Sequence, residues 1–349
     1  MSFLVPLAAR WVVYNLGVMR EKLVALVARQ SGPSLTNYPM VKLPLLNSTI
    51  YALGSRKLFV HSFLYCLAFL VLCSCAFMDS ASVERPADLN MNKGAGRGDE
   101  LLATVHLEDG HELLMIVDTG APYSLLDESL KPILGKPVGK FTTGSCYGKA
   151  NFQIYRAPKL YLGDIQLRTW DEIATSPIVK QVSNDLNRMM RTNRPIMGVL
   201  GMDCLKHYCL QLDFEAGRIR FLDPKHSNPE VWGEAFPLRC IHGAYFFPGN
   251  LAGTKESDTM IDTGCNFDGF MMAKLLGQWT GHAQPPLRGE ARSPNAIFAG
   301  QDYPDIHLTK NDDGNGIGLS FLARHLVTID FPNRKLYLQR TSVGPLKSE

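Results

Sequence analysis

The chain has 349 residues, of which 46% are apolar and 20% are charged, so it is long enough for two globular domains of ordinary size. The formal charge of +3 is unevenly distributed, because residues 1–57 hold seven basic side chains and one acid, Glu21. The remaining chain is mildly acidic. Nucleic acid is therefore not expected as a partner.

Residues 58–77 (LFVHSFLYCLAFLVLCSCAF) form an uncharged, mostly apolar run that is about long enough for a helix to cross a bilayer. Arg56 and Lys57 precede it, which predicts a cytoplasmic N-terminal side and an extracytoplasmic body, in a bacterial periplasm or at the cell surface. Three interpretations stay open: a retained anchor, a cleaved signal segment, or a lipoprotein signal in which Cys75 is the lipidated residue.

The segments on either side of this run receive no catalytic role. Residues 1–57 are a basic N-terminal segment, and Met40 is an alternative start of the protein. Residues 78–99 are polar and rich in Gly, Ala, Asp and Arg, which predicts a flexible linker between the membrane and the body.

From residue 100 the chain reads as short strands joined by turns. Thr104–Leu107, a turn at Glu108–Gly110 and Glu112–Val117 predict a β-hairpin whose second strand leads into Asp118. Ser176 followed by Pro177 predicts the start of a helix, because serine caps helix N-termini and proline favours the first turn. Its apolar side is expected to pack on the first half of the protein, and consists of Ile178, Val179, Val182, Leu186, Met189 and Met190.

A tripeptide occurs twice in equivalent surroundings. Asp118-Thr119-Gly120 follows an apolar run, and Asp262-Thr263-Gly264 follows another one 144 positions later. In each copy the run predicts a strand that ends at the carboxylate.

A second pair of segments repeats at an offset of 117. Gly201 corresponds to Gly318, and Asp213 corresponds to Asp330. The first copy therefore holds 27 more residues than the second, which leaves room for the predicted helix and its loops. This duplication predicts two similar β-rich lobes related by an approximate two-fold axis, at residues 100–225 and 236–340, with a linker at 226–235 and a tail at 341–349.

Two carboxylates at equivalent strand ends are expected to meet at this axis. At close range they cannot both ionise, so they would share one proton, activate a water molecule and stabilise an oxyanion. Gly120 and Gly264 would allow close approach, and the hydroxyls of Thr119 and Thr263 would brace one loop against the other.

These paired motifs, IVDTGAPYSLL and MIDTGC with the later VLGMDCL and GIGLSFL segments, resemble the pepsin/retroviral-protease superfamily of aspartic proteases. The resemblance covers residues 100–340 and implies an all-β-dominated, bilobal pepsin-like fold, made of two β-barrel lobes with short helices. It implies a monomeric endopeptidase that cleaves peptides or proteins, with Asp118 and Asp262 as the catalytic pair. It further implies that Gly201 and Gly318 lie in strands behind the active-site loops, and that a hairpin flap covers the substrate, with Tyr147 of Gly144–Gly148 at its tip.

The residues that follow the two motifs depart from the resemblance. Ala121 has no side-chain donor, and Cys265 is only a weak one, so neither is expected to lower the pKa of a neighbouring carboxylate as a hydroxyl would. We therefore predict a dyad less acidic than that of pepsin, with activity at about pH 5–7.

Other classes of site are not indicated. His106 and His111 lack the helical spacing of a zinc site, and no cofactor or metal is expected. Cys204 and Cys209 are interpreted as packed thiols. The alternative function from another class is a catalytically silent pepsin-like protein that binds or inhibits peptides at the cell surface.

Overall fold

The structure is a computed structural model, and the residues it describes are mostly β-strand. They belong to one compact unit. No helix among them is long and apolar enough to cross a membrane, and the apolar run at 58–77 lies outside them. The described ranges are residues 88–145, 148–190, 194–223, 228–254, 257–281, 290–312 and 314–341.

Short strands separated by tight turns make up the first half, as its alternating apolar pattern predicts. Its strands are β1 (Asp88–Asn90), β2 (Leu102–Leu107), β3 (Glu112–Val117), β4 (Leu125–Asp127), β5 (Gly139–Ser145), β6 (Gly148–Arg156), β7 (Leu160–Leu162), β8 (Ile165–Gln166), β9 (Glu172–Ser176), β10 (Ile196–Leu200), β11 (Cys209–Asp213) and β12 (Arg218–Leu222), and its helices are α1 (Lys131–Leu134), α2 (Pro177–Met190) and α3 (Met202–Leu205).

The second half has fewer and longer strands. They are β13 (Glu234–Pro237), β14 (Arg239–Ile241), β15 (Ala244–Pro248), β16 (Asp258–Asp262), β17 (Gly269–Met272), β18 (Glu290–Phe298), β19 (Gln301–Asn311), β20 (Asn315–Gly318), β21 (His325–Asp330) and β22 (Lys335–Arg340), with helices α4 (Ala273–Thr280) and α5 (Leu319–Leu322).

Each half builds a sheet with the same strand plan. The nine-stranded sheet of the first half has the order β5-β6-β9-β4-β10-β3-β2-β7-β8, and the seven-stranded sheet of the second half has the order β14-β15-β16-β20-β17-β19-β18. Read from β2 to β6 and from β15 to β18, five successive neighbour pairs agree in chain order and in being parallel or antiparallel. The duplication seen in the sequence is therefore also a duplication of topology.

Two excursions account for the greater length of the first half. The chain makes α2 between β9 and β10, and makes β7 and β8 between β6 and β9. In the second half the corresponding connections, from β19 to β20 and from β18 to β19, are short turns. The predicted helix is thus only part of the extra length.

A third, six-stranded sheet joins the two halves in the order β1-β12-β11-β21-β22-β13. At its centre β11 pairs antiparallel with β21, and Gln211 lies opposite Thr328. Thr328 is also the residue 117 positions after Gln211, so the two-fold relation between the repeats passes through this pair. The Gln211 amide donates to the Thr328 hydroxyl at 3.0 Å.

The described sheets are open rather than closed. None of the three orders returns to its starting strand, so the barrel shape expected for each lobe is not formed. In the nine-stranded sheet the edge strands β5 and β8 do not pair with each other. Two β-rich halves are present, and one cluster of buried apolar residues includes side chains from both.

The predicted linkers are largely part of the folded body. Within the predicted tether 78–99, residues 88–90 form β1 on the edge of the six-stranded sheet, and Met91 and Ala95 are buried. Within the predicted linker 226–235, Trp232 is buried and Glu234 begins β13 on the opposite edge. The polar composition of both segments does not predict a strand. An edge strand can nevertheless form, because it needs only backbone pairing on one side and a few buried side chains.

Helix α2 begins where the sequence predicts. The Ser176 hydroxyl accepts from the Ile178 amide at 3.2 Å, which caps a helix that starts at Pro177. Ile178 and Val179 are buried against Leu125 and Phe152, so the expected packing on the first half is confirmed for this part of the helix. Cys204 and Cys209 are free and buried, as expected.

Candidate active site

Asp118 and Asp262 emerge from equivalent positions in the two sheets. β3 lies between β2 and β10, and the Asp118 amide donates to the Leu200 carbonyl at 3.0 Å at the end of this parallel pair. Asp262 is the last residue of β16, where it lies opposite Gly318 of the parallel strand β20. Each carboxylate therefore stands at the carboxyl end of a central strand, held by neighbours on both sides.

The loops that follow the two strands are joined by reciprocal hydrogen bonds. The Thr119 amide donates to the Thr263 hydroxyl at 3.0 Å, and the Thr263 amide donates to the Thr119 hydroxyl at 3.0 Å. Each hydroxyl also donates at 2.7 Å to the carbonyl of the opposite strand, at Ile261 and Val117. All four bonds are buried, so the two threonines brace the loops as the repeat predicts.

Gly120 and Gly264 allow the carboxylates to approach across this junction. A Cβ atom on Gly120 would lie 2.5 Å from Oδ1 of Asp262, and one on Gly264 would lie 2.4 Å from Cγ of Asp118. No side chain fits at such distances. The glycines are therefore required by close approach, and each carboxylate packs against the loop of the other half.

The two carboxyl groups interact directly and are both buried. Oδ1 of Asp118 accepts from the amides of Gly120 at 2.8 Å and Ala121 at 3.0 Å, whereas Oδ1 of Asp262 accepts from Gly264 at 3.0 Å. Oδ2 of Asp262 has no donor within the described part of the chain. A proton held between the carboxyl groups would satisfy it.

Burial raises the pKa of Asp118 to about 6, in spite of the backbone donors that favour its charged form. Burial, followed by repulsion from the Asp118 charge, raises the pKa of Asp262 well above its usual range. Two backbone donors on Oδ1 of Asp118, against one on Oδ1 of Asp262, favour the charged form of Asp118, and the pair titrates as a unit.

The pKa shifts of the two aspartates have burial as their main cause, whereas the sequence argument rested on the missing hydroxyls at positions 121 and 265. Ala121 has no hydroxyl, but its amide supplies a hydrogen bond to Asp118 all the same. The Cys265 thiol is buried, and burial raises its pKa well above the ordinary thiol value, so it stays protonated. Removal from water, rather than a missing hydroxyl, is the main reason for the raised pKa.

Gly201 and Gly318 lie directly behind the two loops. A Cβ on Gly201 would lie 2.5 Å from the carbonyl carbon of Tyr123, and one on Gly318 would lie 2.3 Å from the carbonyl oxygen of Phe267. Gly318 is the last residue of β20, whereas Gly201 comes just after β10 and precedes α3. Their close contact with the loops agrees with the expected position, although Gly201 is not within a strand.

Two polar pairs that support the loops were not found from the sequence. The Ser124 hydroxyl donates to Asp203 at 2.7 Å and accepts from the Gly201 amide at 3.0 Å, all in buried positions. In the second half, buried Asp268 pairs with Arg324 at 3.1 Å. Asp268 lies 144 positions after Ser124, and this match between polar residues of the two repeats was the signal that could have identified them.

A hairpin made of β5 and β6 occupies the place of the predicted flap. Ser145 lies opposite Gly148, so residues 146 and 147 connect the two strands. Tyr147 itself lies outside the described residues, as does the possible lipidation site Cys75. The hairpin forms one edge of the nine-stranded sheet through the pairing of β6 with β9.

Glu100 is an acidic residue of this region that the sequence interpretation missed. It is only 8% exposed, and its carboxyl group interacts electrostatically with both Asp118 and Asp262. The register of the β2–β3 hairpin could have identified Glu100 from the sequence, because Leu102 lies opposite Ile116. The same register places Glu100 across from Asp118.

Within the described residues, no group of three or more His, Cys, Asp or Glu side chains could hold a metal ion. The arrangement instead offers two buried carboxyl groups that can share one proton, fixed by backbone donors and by the bonds between Thr119 and Thr263. No protein-family model matches this chain, and a search of curated proteins finds no match either.

Proposed function

We propose that this chain is an aspartic endopeptidase of the pepsin/retroviral-protease type, in which two lobes of one chain each supply a catalytic aspartate. The observation that carries the proposal is the direct contact of buried Asp118 and Asp262 at the junction of two repeated loops. The matching strand order of the two large sheets supports a bilobal fold of this type.

The chemistry follows from the unequal environments of the two carboxyl groups. Asp118 accepts two hydrogen bonds from its own loop, which favour its charged form, so it is the general base that removes a proton from water. Asp262 retains the shared proton and donates a hydrogen bond to the substrate carbonyl, where negative charge develops. The water attacks the carbonyl directly, and the amide nitrogen leaves after it receives a proton from the dyad.

The substrate class is a peptide or protein, and the enzyme acts as a monomer because one chain supplies both aspartates. We propose that residues 58–77 tether it to a membrane, as an anchor or a lipoprotein, with its catalytic body in the periplasm or at the cell surface. The hairpin of β5 and β6 is the proposed flap over the substrate.

Cleavage of an unstructured protein, with and without a statine-type transition-state mimic, tests this function. We expect inhibition by the mimic, and a loss of at least about 1,000-fold in kcat/KM for both Asp118→Asn and Asp262→Asn. On the acid side, kcat/KM should fall as Asp118 becomes protonated, with an apparent pKa of about 6. Binding of peptide without cleavage, unchanged by Asp118→Asn, would favour a silent binding protein instead.

A further inference from the structure

Glu100 lies beside the dyad as a consequence of the β2–β3 hairpin. The Val117 amide donates to the Leu101 carbonyl at 2.8 Å, so the ladder extends beyond the formal start of β2 and Glu100 is next to Asp118. Asn92 fixes this end of the strand. Its side chain donates to the Glu100 carbonyl at 2.9 Å and accepts from the Leu102 amide at 3.0 Å.

One oxygen of the Glu100 carboxyl group is buried without a hydrogen-bond donor in the described part of the chain. Oε2 is inaccessible to solvent and has no partner among the residues that the structure describes. A charged carboxylate in this position would be unsatisfied, which is costly in a protein interior. A proton on the carboxyl group removes the charge, so the neutral acid is the form that this site favours.

A second buried oxygen without a donor among the described residues comes from Asn266, in the second half of the chain. Asn266 follows the Asp262 loop, and its amide donates to the Gly98 carbonyl at 3.2 Å, close in sequence to Glu100. Oδ1 of Asn266 is also buried without a donor in the described part of the chain. Glu100, Asn266 and Asp262 therefore each contribute a buried oxygen that lacks a donor in the same region.

The titratable groups that face Glu100 are all acids. Asp118 comes from the end of β3, Asp262 from the end of β16, and Asp99 from the preceding residue, and each raises the pKa of Glu100 in addition to burial. The Cys265 thiol of the second loop also interacts with Glu100. No basic group is among the charges that act on Glu100 within the described residues.

We propose that Glu100 is a third carboxyl group of the active site, which shares the protons of the site with Asp118 and Asp262 and keeps the dyad's proton in place to higher pH. This proposal rests on the proposed function. The working site then carries one negative charge and two protons, distributed over three carboxyl groups.

The upward shift follows from repulsion between like charges. As the pH rises, the site loses its second proton either from Glu100 or from the dyad. When Glu100 loses it, the new negative charge on Glu100 raises the pKa of the dyad, which then keeps its own proton to a higher pH. Without a carboxyl at position 100, only the dyad can lose that proton. Glu100 is thus a positioning residue for a proton and makes no contact with substrate in this scheme.

Glu100→Gln tests the proposal because glutamine has the shape of the protonated acid. We expect the apparent pKa of the alkaline limb of kcat/KM to fall by about half to one unit. Glu108→Gln, at an exposed residue of the hairpin turn, is the matched control and should follow the wild type. Glu100→Met serves as a second variant if the first does not fold, with the same expected shift.

An alkaline limb that is unchanged or moves to higher pH in Glu100→Gln would overturn the proposal. A second measurement does not depend on activity: the melting temperature of Glu100→Gln should exceed that of the wild type by an amount that grows between about pH 5 and pH 8. A constant difference over this range would also overturn it. If the wild type cleaves no peptide but this difference grows, the proposed function fails while the buried, protonated Glu100 stands.

Discussion

The threonines, rather than the aspartates, hold the two halves of the candidate site in register. Thr119 and Thr263 each make two buried hydrogen bonds to the opposite loop or strand. Such bonds are costly to break, because the partner amide and carbonyl are left buried without water. The carboxylates are held in contact by the backbone around them, and their own repulsion opposes that contact.

Thr119→Val should therefore destabilise the protein strongly, although valine has the same shape. We expect a loss of about 2–4 kcal/mol in the free energy of unfolding, from one donor and one acceptor removed at a buried position. Thr142→Val is the control, since Thr142 is exposed, and should change stability by less than about 0.5 kcal/mol. Urea unfolding measures both variants, and equal midpoints would contradict the role of the brace.

At the scale of elements, segments with little apolar character contribute more to the fold than their composition suggests. β1 occupies an outer edge of the six-stranded sheet, where Asp88 pairs with Arg218 at 2.7 Å. Met91 follows β1, is buried, and donates its amide to the Gly217 carbonyl at 2.8 Å. β13 occupies the opposite edge, so the predicted tether and the predicted linker play corresponding parts in the two repeats.

Truncation separates the folded part of this segment from the rest. A chain that begins at residue 100 should lose at least about 3 kcal/mol of stability relative to one that begins at residue 79, because it lacks the Met91 side chain and the hydrogen bonds of Asn92. Denaturant unfolding followed by circular dichroism measures the difference. Equal midpoints for the two chains would show that residues 88–99 add no stability.

The cap of α2 offers a smaller test at the same scale. Ser176→Ala removes the acceptor for the Ile178 amide and should cost about 1 kcal/mol. Ser129→Ala, at an exposed position, is the control and is expected to be neutral. A thermal or urea melt distinguishes them, and a neutral Ser176→Ala would mean that the helix start is held by packing alone.

Across the whole molecule, the site concentrates buried acids that are more easily protonated in the folded than in the unfolded chain. The pKa values of Asp118, Asp262 and Glu100 are all raised, chiefly by burial. For such groups the folded state binds more protons, so its stability is fully present below the unfolded pKa and is lost as the pH rises through the folded pKa. The protein keeps these acids at the expense of stability at high pH.

We therefore expect the free energy of unfolding to fall between about pH 6.5 and pH 8.5. His325 acts in the opposite sense, because burial lowers its pKa to about 4 while its unfolded value is about 6.5, and its contribution is complete by about pH 7.5. Asp262→Asn should flatten the curve on the alkaline side, since it removes one buried acid. Stability that is constant or rises from pH 6.5 to pH 8.5 would contradict this expectation.

The sequence predicts the local elements and the correspondence between the two repeats, but not the way in which the sheets end. The β2–β3 hairpin and the start of α2 follow from local pattern and spacing, and the structure confirms both. The offsets of 144 and 117 residues identify which residues of the two repeats correspond, and this needs no knowledge of contacts. The open sheets could not be predicted in this way, because closure depends on which edge strands meet.

The sequence by itself determined the duplication, the strands that end at Asp118 and Asp262, and the glycines that permit close approach, because each depends on residue type and short-range order. Only the tertiary structure decided which oxygen atoms are buried without a donor, that Asp203 and Asp268 support the loops, and that Glu100 lies beside the dyad. Burial and proton sharing depend on distances between segments far apart in the chain, and local pattern does not contain those distances.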